Sequence, residues 1–144
     1  MILDQNALFS DKQAITGTAP STNFYDLGAP GVTGYNSAQL LRNLGKGKET
    51  PLLVQVNEDF DALTSLTIAI QSDEDPAFGS AKTVVAISVP LADLKVGYIL
   101  PIDKLPRDIK ERYVRMLYTV VGTNPTTGQI TAGIVAAVDG SYVG

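Results

Sequence analysis

Along Leu66 to Gln71 (LTIAIQ), Leu66, Ile68 and Ile70 fall on one side of the chain and Thr67, Ala69 and Gln71 on the other. A period of two marks a strand with one face on a core and the other toward solvent. The pattern recurs at Thr22 to Leu27, Leu52 to Val56, Thr83 to Val89, Gly97 to Ile102, Tyr113 to Val121 and Gln129 to Val138, and more weakly around Gln13 to Thr16. Clusters of Gly, Pro, Asn, Asp and Ser separate these runs, at Gly28 to Gly34, Ser72 to Ser80 and Gly122 to Gly128. Pro125 cannot sit in a central strand, so the last cluster (GTNPTTG) reads as a hairpin loop.

Eight short strands with brief interruptions predict an all-β antiparallel sandwich, and that count fits an eight-stranded jelly roll. Two segments are predicted to form one or two helical turns. In Asn36 to Gly45, Ser37 is the candidate N-cap and Gly45 the C-cap, with Leu40, Leu41 and Leu44 as the apolar face. In Pro106 to Arg112, a proline at the first helical position precedes mixed charges. Residues 1–11 stand outside the strand pattern and are expected to be an N-terminal arm or a frayed end, with Leu8 and Phe9 as anchors. Residues 12–144 are expected to form a single jelly-roll domain.

Composition narrows the chemistry more than the fold. The chain of 144 residues has neither Cys nor His, which removes disulfides, thiolate or imidazole metal sites and histidine-activated nucleophiles. Its net charge of −4 is opposed to a phosphate-neutralising surface, so nucleic acid is not an expected partner. The longest apolar stretch, Ile130 to Val138, is about half the length that spans a bilayer, and no membrane association is expected. The opening Met1-Ile2-Leu3-Asp4 lacks the basic and apolar regions of a secretory signal, so the chain is expected to stay in the cytoplasm where it is made.

Two acidic clusters could substitute for the missing histidines. Glu58, Asp59 and Asp61 lie in one turn and Asp73, Glu74 and Asp75 in another. Paired acids run glycoside hydrolysis, and clustered oxygens bind calcium. Both clusters sit beside turn residues, where Asp is common, and no EF-hand spacing is present. Solvated loops are therefore the expected role, with no catalytic residue, metal or cofactor. Gly45-Lys46-Gly47-Lys48 places Glu49 where a phosphate loop needs Ser or Thr, and reads as a flexible turn. The absence of Trp and the scatter of six Tyr weaken a sugar-binding reading.

Lys104, Arg107, Lys110, Arg112 and Arg115 bring together five of the eleven basic residues, with Asp103, Asp108 and Glu111 among them. Self-neutralising surface pairs are expected there. Arg115 alternates with Val114 and Met116 and so should face away from the core, with Tyr113 and Leu117 on its side. A Tyr, an Arg and a Leu side by side outside the core have the composition of a protein interface; a second layer packed over them is the alternative.

A series of motifs runs over nearly the whole chain: Met1-Ile2-Leu3-Asp4, Ser10-Asp11-Lys12-Gln13-Ala14, Ser21-Thr22 to Asp26-Leu27-Gly28, and Gly45-Lys46-Gly47 before the Leu52 strand. It continues with Leu63-Thr64-Ser65-Leu66, Asp93-Leu94-Lys95-Val96-Gly97-Tyr98, Leu105-Pro106, Arg112-Tyr113 through Leu117-Tyr118, and Thr131-Ala132-Gly133. In that order they resemble the cement or decoration proteins of tailed bacteriophage capsids, the small jelly-roll, trimer-forming kind. The resemblance implies a homotrimer on the capsid surface of the virion, assembled in the host cytoplasm, that clamps subunits of the phage major capsid protein. It implies no enzymatic activity. Met1, Ile2 and Leu3 of the arm join Tyr113, Arg115 and Leu117 as candidate interface residues. A carbohydrate- or receptor-binding jelly roll on a virion surface and a carboxylate-dependent glycosidase are the other readings.

Overall fold

The computed structural model describes residues 3–29, 31–32, 39–40, 44, 49–107 and 109–137. Eleven strands are present among them: β1 (Leu3–Ala14), β2 (Ala19–Pro20), β3 (Tyr25–Asp26), β4 (Gly31–Val32), β5 (Gln39–Leu40), β6 (Thr50–Glu58), β7 (Leu63–Asp73), β8 (Lys82–Pro90), β9 (Lys104–Leu105), β10 (Tyr113–Gly122) and β11 (Gln129–Val135). A 3₁₀ turn at Leu91–Asp93 is the one helical element among the described residues.

All the strand pairings are antiparallel, and they sort the main strands into two sheets. One has the order β1-β11-β6-β9; the other runs β2-β10-β7-β8, with β3 also on β10. β2 and β3 act as one interrupted strand. Ahead of β9, the Tyr98 carbonyl accepts from the Val56 amide and the Leu100 amide donates to the Val54 carbonyl, so residues 98–105 run as one irregular strand along β6. With these merged and the β4–β5 hairpin set aside, the eight strands in chain order lie as 1-8-3-6 and 2-7-4-5. That order is the jelly roll.

Alternation along β6, β7, β10 and β11 fills the space between the sheets with Leu52, Val54, Val56, Leu66, Ile68, Ile70, Val114, Met116, Tyr118, Ile130 and Ala132, all at most 1% exposed. Each large aliphatic or aromatic side chain buried this way contributes roughly 1.5–3 kcal/mol. The wrap is closed at one end by the Gly122 to Gly128 loop. Asp61 accepts hydrogen bonds from the Thr126 amide and hydroxyl and the Thr127 amide, and Gly128 (φ +131°) lies against the Phe60 ring, where a Cβ would overlap it.

Several expectations need correction. Residues 3–11 are not outside the sandwich: they form most of β1, and Phe9, 1% exposed, is a core residue. The two predicted helical turns are absent where described. Gln39–Leu40 pairs with Gly31–Val32, and Leu44 bridges Ile109. Ile109 lies inside Pro106 to Arg112, and its burial at 3% exposure draws that segment across the end of the sandwich. A seven-residue helix has too little internal hydrogen bonding to resist such a contact. The rest of Asn36 to Gly45, and Gly45 to Lys48, lie outside the described residues. The Thr22 to Leu27 run is broken because the Ser21 hydroxyl, donating to the Asn23 carbonyl and accepting from the Met116 amide, turns the chain between β2 and β3.

Candidate protein-interaction surface

The outer face of the β10 sheet carries an aromatic and arginine cluster assembled from three segments. On β10, Val114, Met116 and Tyr118 point into the core, which leaves Tyr113, Arg115 and Leu117 on the outer side, each partly buried. The loop after β7 folds back over that side. Asp73, 6% exposed, accepts hydrogen bonds from the amides of Asp75 (3.1 Å) and Ser80 (2.8 Å), so one carboxylate ties both ends of the loop. These bonds hold the Asp73 carboxyl below its ordinary pKa, the Asp75 amide acting most strongly.

Within the loop, Asp75 accepts from the Ala77 amide on its side chain and from the Phe78 amide on its carbonyl. The resulting turn places Phe78 at φ +54°, a left-handed conformation that costs a bulky residue on the order of 1–3 kcal/mol. The ring is thereby set over Arg115, its centroid 4.2 Å from the guanidinium carbon. Arg115 also donates from Nε to Gln71, its partner in register on β7, at 3.0 Å. Partial burial lowers the Arg115 pKa, and the Asp73 charge opposes that shift.

Phe24, between β2 and β3, stands edge-on to both Phe78 (5.9 Å) and Tyr113 (5.5 Å) and remains 47% exposed. Arg112 lies over the other part of Tyr113, 4.9 Å from its centroid, and forms a two-pronged ion pair with Asp26 at 2.7 and 2.9 Å. That pair raises the Arg112 pKa, chiefly through the hydrogen bond to Asp26. Phe24 also lines a groove of about 440 Å³ with Gln5, Asn6 and Leu8 of β1 and Thr22 and Asn23.

The candidate residues separate as follows. Tyr113 and Arg115 enter the cluster through Phe24 and Phe78, while Leu117 sits further along the face, in register with Pro20 and Ala69. Leu3 is 45% exposed on β1, paired with Val135 in the other sheet; Met1 and Ile2 lie outside the described residues. Sequence reasoning did not find Phe24 or Phe78. An aromatic inside a loop rich in Asp, Gly and Pro was the available signal for Phe78; Phe24 was hidden in a run read as continuous strand.

The acidic clusters hold loops. Asp59 accepts from the Val96 amide (2.7 Å) and meets Lys95 at 3.4 Å, and Asp61 ties the β10–β11 loop. Asp59, Asp61 and Asp73 all have lowered pKa values, whereas a hydrolytic pair needs one acid raised. Among the described residues no three metal-ligating side chains converge.

The family model described as Bbp16 matches residues 9–138, from the core residue Phe9 to beyond the end of β11. The chain belongs to the Bbp16 family. Among curated proteins nothing matches this sequence. In Bbp16-family terms, the matched span takes in both sheets, apart from the first half of β1, and the whole aromatic and arginine cluster.

Proposed function

We propose that this protein decorates the outside of a phage head and stabilises contacts between major capsid protein subunits, without enzymatic activity or a cofactor. The observation that carries this reading is the cluster of Phe24, Phe78, Tyr113, Arg112 and Arg115 on a sheet face. Aromatic and Arg side chains are the residues enriched at the centres of protein interfaces, and here Tyr113 and Arg115 on β10 are met by rings from two neighbouring loops, with the Phe24 ring left in solvent. Membership of the Bbp16 family, whose name suggests a phage-related protein, supports the setting. The motif resemblance supports the role and implies a trimer. Several modest sites on one oligomer would add through effective concentration once the first has docked.

The test is to mix the purified chain with phage shells that lack it, and to measure co-sedimentation and the temperature at which the shells open. Saturable binding with a higher opening temperature is expected; no binding, or binding to a glycan array without any effect on shells, overturns the reading. The mass of the chain in solution checks the trimer separately.

A further inference from the structure

We infer that Arg115 is the receptor for a carboxylate of the partner protein, an Asp or Glu side chain presented next to an apolar residue that seats on Phe24. The inference deepens the shell-binding reading and rests on it for the partner's identity.

Among the described residues, the side-chain cations fall into two groups. Lys82, Lys95, Lys104, Arg107 and Arg112 each have a carboxylate within 3.4 Å. Lys12, Lys110 and Arg115 have none, and of these Arg115 alone is not on the exposed surface. Its guanidinium makes a single hydrogen bond, from Nε to a neutral amide, and neither Nη group has a hydrogen-bond partner or is fully buried. The nearest acid, Asp73, has its oxygens turned to the Asp75 and Ser80 amides.

The surroundings fit an incoming carboxylate. Phe78 shields one face of the guanidinium, and Gln71 fixes its Nε edge, so the planar fork is oriented and partly desolvated before anything binds. An oriented, poorly hydrated guanidinium matches a carboxylate through two parallel hydrogen bonds, which a lysine cannot reproduce. Phe24, edge-on to the Phe78 ring, supplies an apolar seat beside it. A dianionic phosphate suits the site less, since Asp73, Glu74 and Asp75 belong to the loop that covers it and, in the cluster, Arg112 is already paired with Asp26.

Two measurements decide the matter. In the first, the full chain is titrated with the blocked peptides acetyl-Leu-Glu-amide and acetyl-Leu-Gln-amide while arginine side-chain NMR signals are followed. A saturable shift of Arg115 with the Glu peptide, at least fivefold larger than that of the already paired Arg112 and absent with the Gln peptide, is expected. Equal shifts for the two arginines, or an equal response to inorganic phosphate, overturn the inference.

In the second, wild type, Arg115→Lys and Arg115→Met are compared for shell binding, with shell carboxylates either intact or amidated. Both variants should bind intact shells at least tenfold more weakly, and amidation should weaken wild type to the same level. Wild type and Arg115→Met binding intact shells equally removes the inference but leaves the decoration role standing. Failure of wild type to bind shells removes the decoration role, and the peptide titration still decides Arg115.

Discussion

The hydroxyls of Ser10 and Tyr118 meet at 2.8 Å between the two sheets, joining residues 108 positions apart. The direction of that bond follows from its neighbours. Ser10 donates its own proton to Gln13 Oε1 at 2.7 Å, so Tyr118 is the donor to Ser10. Gln13 in turn accepts from the Thr22 amide and donates to the Pro20 carbonyl, which extends the chain of polar contacts from β10 through β1 to the β2 segment.

Removing either hydroxyl should therefore have unequal effects. Tyr118→Phe deletes one bond and leaves Ser10 its contact to Gln13, a loss of about 1 kcal/mol. Ser10→Ala strands a buried phenol and should cost about 2–3 kcal/mol, with the double variant less damaged than Ser10→Ala alone. Urea unfolding of the three variants measures this; equal costs for the two single changes contradict the assigned direction.

Tyr118 also sets an alkaline limit. Burial pushes its pKa above the ordinary tyrosine value, with the Ser10 bond opposing in part. A raised folded-state pKa stabilises fully below the unfolded pKa, near 10, and the stability is lost as pH rises toward the folded one. Unfolding midpoints should fall above about pH 10 in wild type, and less steeply in Tyr118→Phe.

Glu111 sets the acid limit. It accepts from Lys82 Nζ (2.7 Å) and from the buried Ser72 hydroxyl (3.0 Å), and the Lys82 bond is the main cause of a pKa lowered to about 2. A lowered folded-state pKa stabilises above the unfolded value and the gain disappears as pH falls through the folded one. Wild type should lose stability between the ordinary pKa of 4.5 and about 2, and Glu111→Gln should lose less over that window. Thermal melts at pH 6, 4 and 2 compare them.

At the β10–β11 loop, Gly128→Ala forces a Cβ onto the Phe60 ring at a backbone angle of +131°. Overlap and left-handed strain together should cost about 3 kcal/mol. Phe60→Leu in the same chain should restore part of the stability by relieving the overlap, while the backbone strain stays. Full recovery would show the steric term to be the whole cost.

Strands β7 and β10 were legible because the period of two holds over Leu66 to Gln71 in one and from Tyr113 to Val120 in the other, which also gave the outward side of Arg115. β1 was not, because its pairing with β11 shifts register between Leu3 and Leu8, Leu8 and Ser10, and Ser10 and Gln13. Those irregularities bury Phe9 and Ser10 side by side and put Lys12 at φ +46°, which erases the period of two. Likewise, nothing local in Asp75 to Gly79 says that Phe78 will cover Arg115. The Asp73 carboxylate decides it, by holding amides two and seven residues away.

The pairing of β1 with β11 has a consequence for biosynthesis. Gln129 to Val135 must leave the ribosome before Phe9 and Ser10 can enter the sandwich, a wait on the order of 10 s at typical translation rates. Sheet closure is thus reserved for the last stage of synthesis, and chains stalled before Gln129 should be cut by proteases at the β1 end that the finished protein resists.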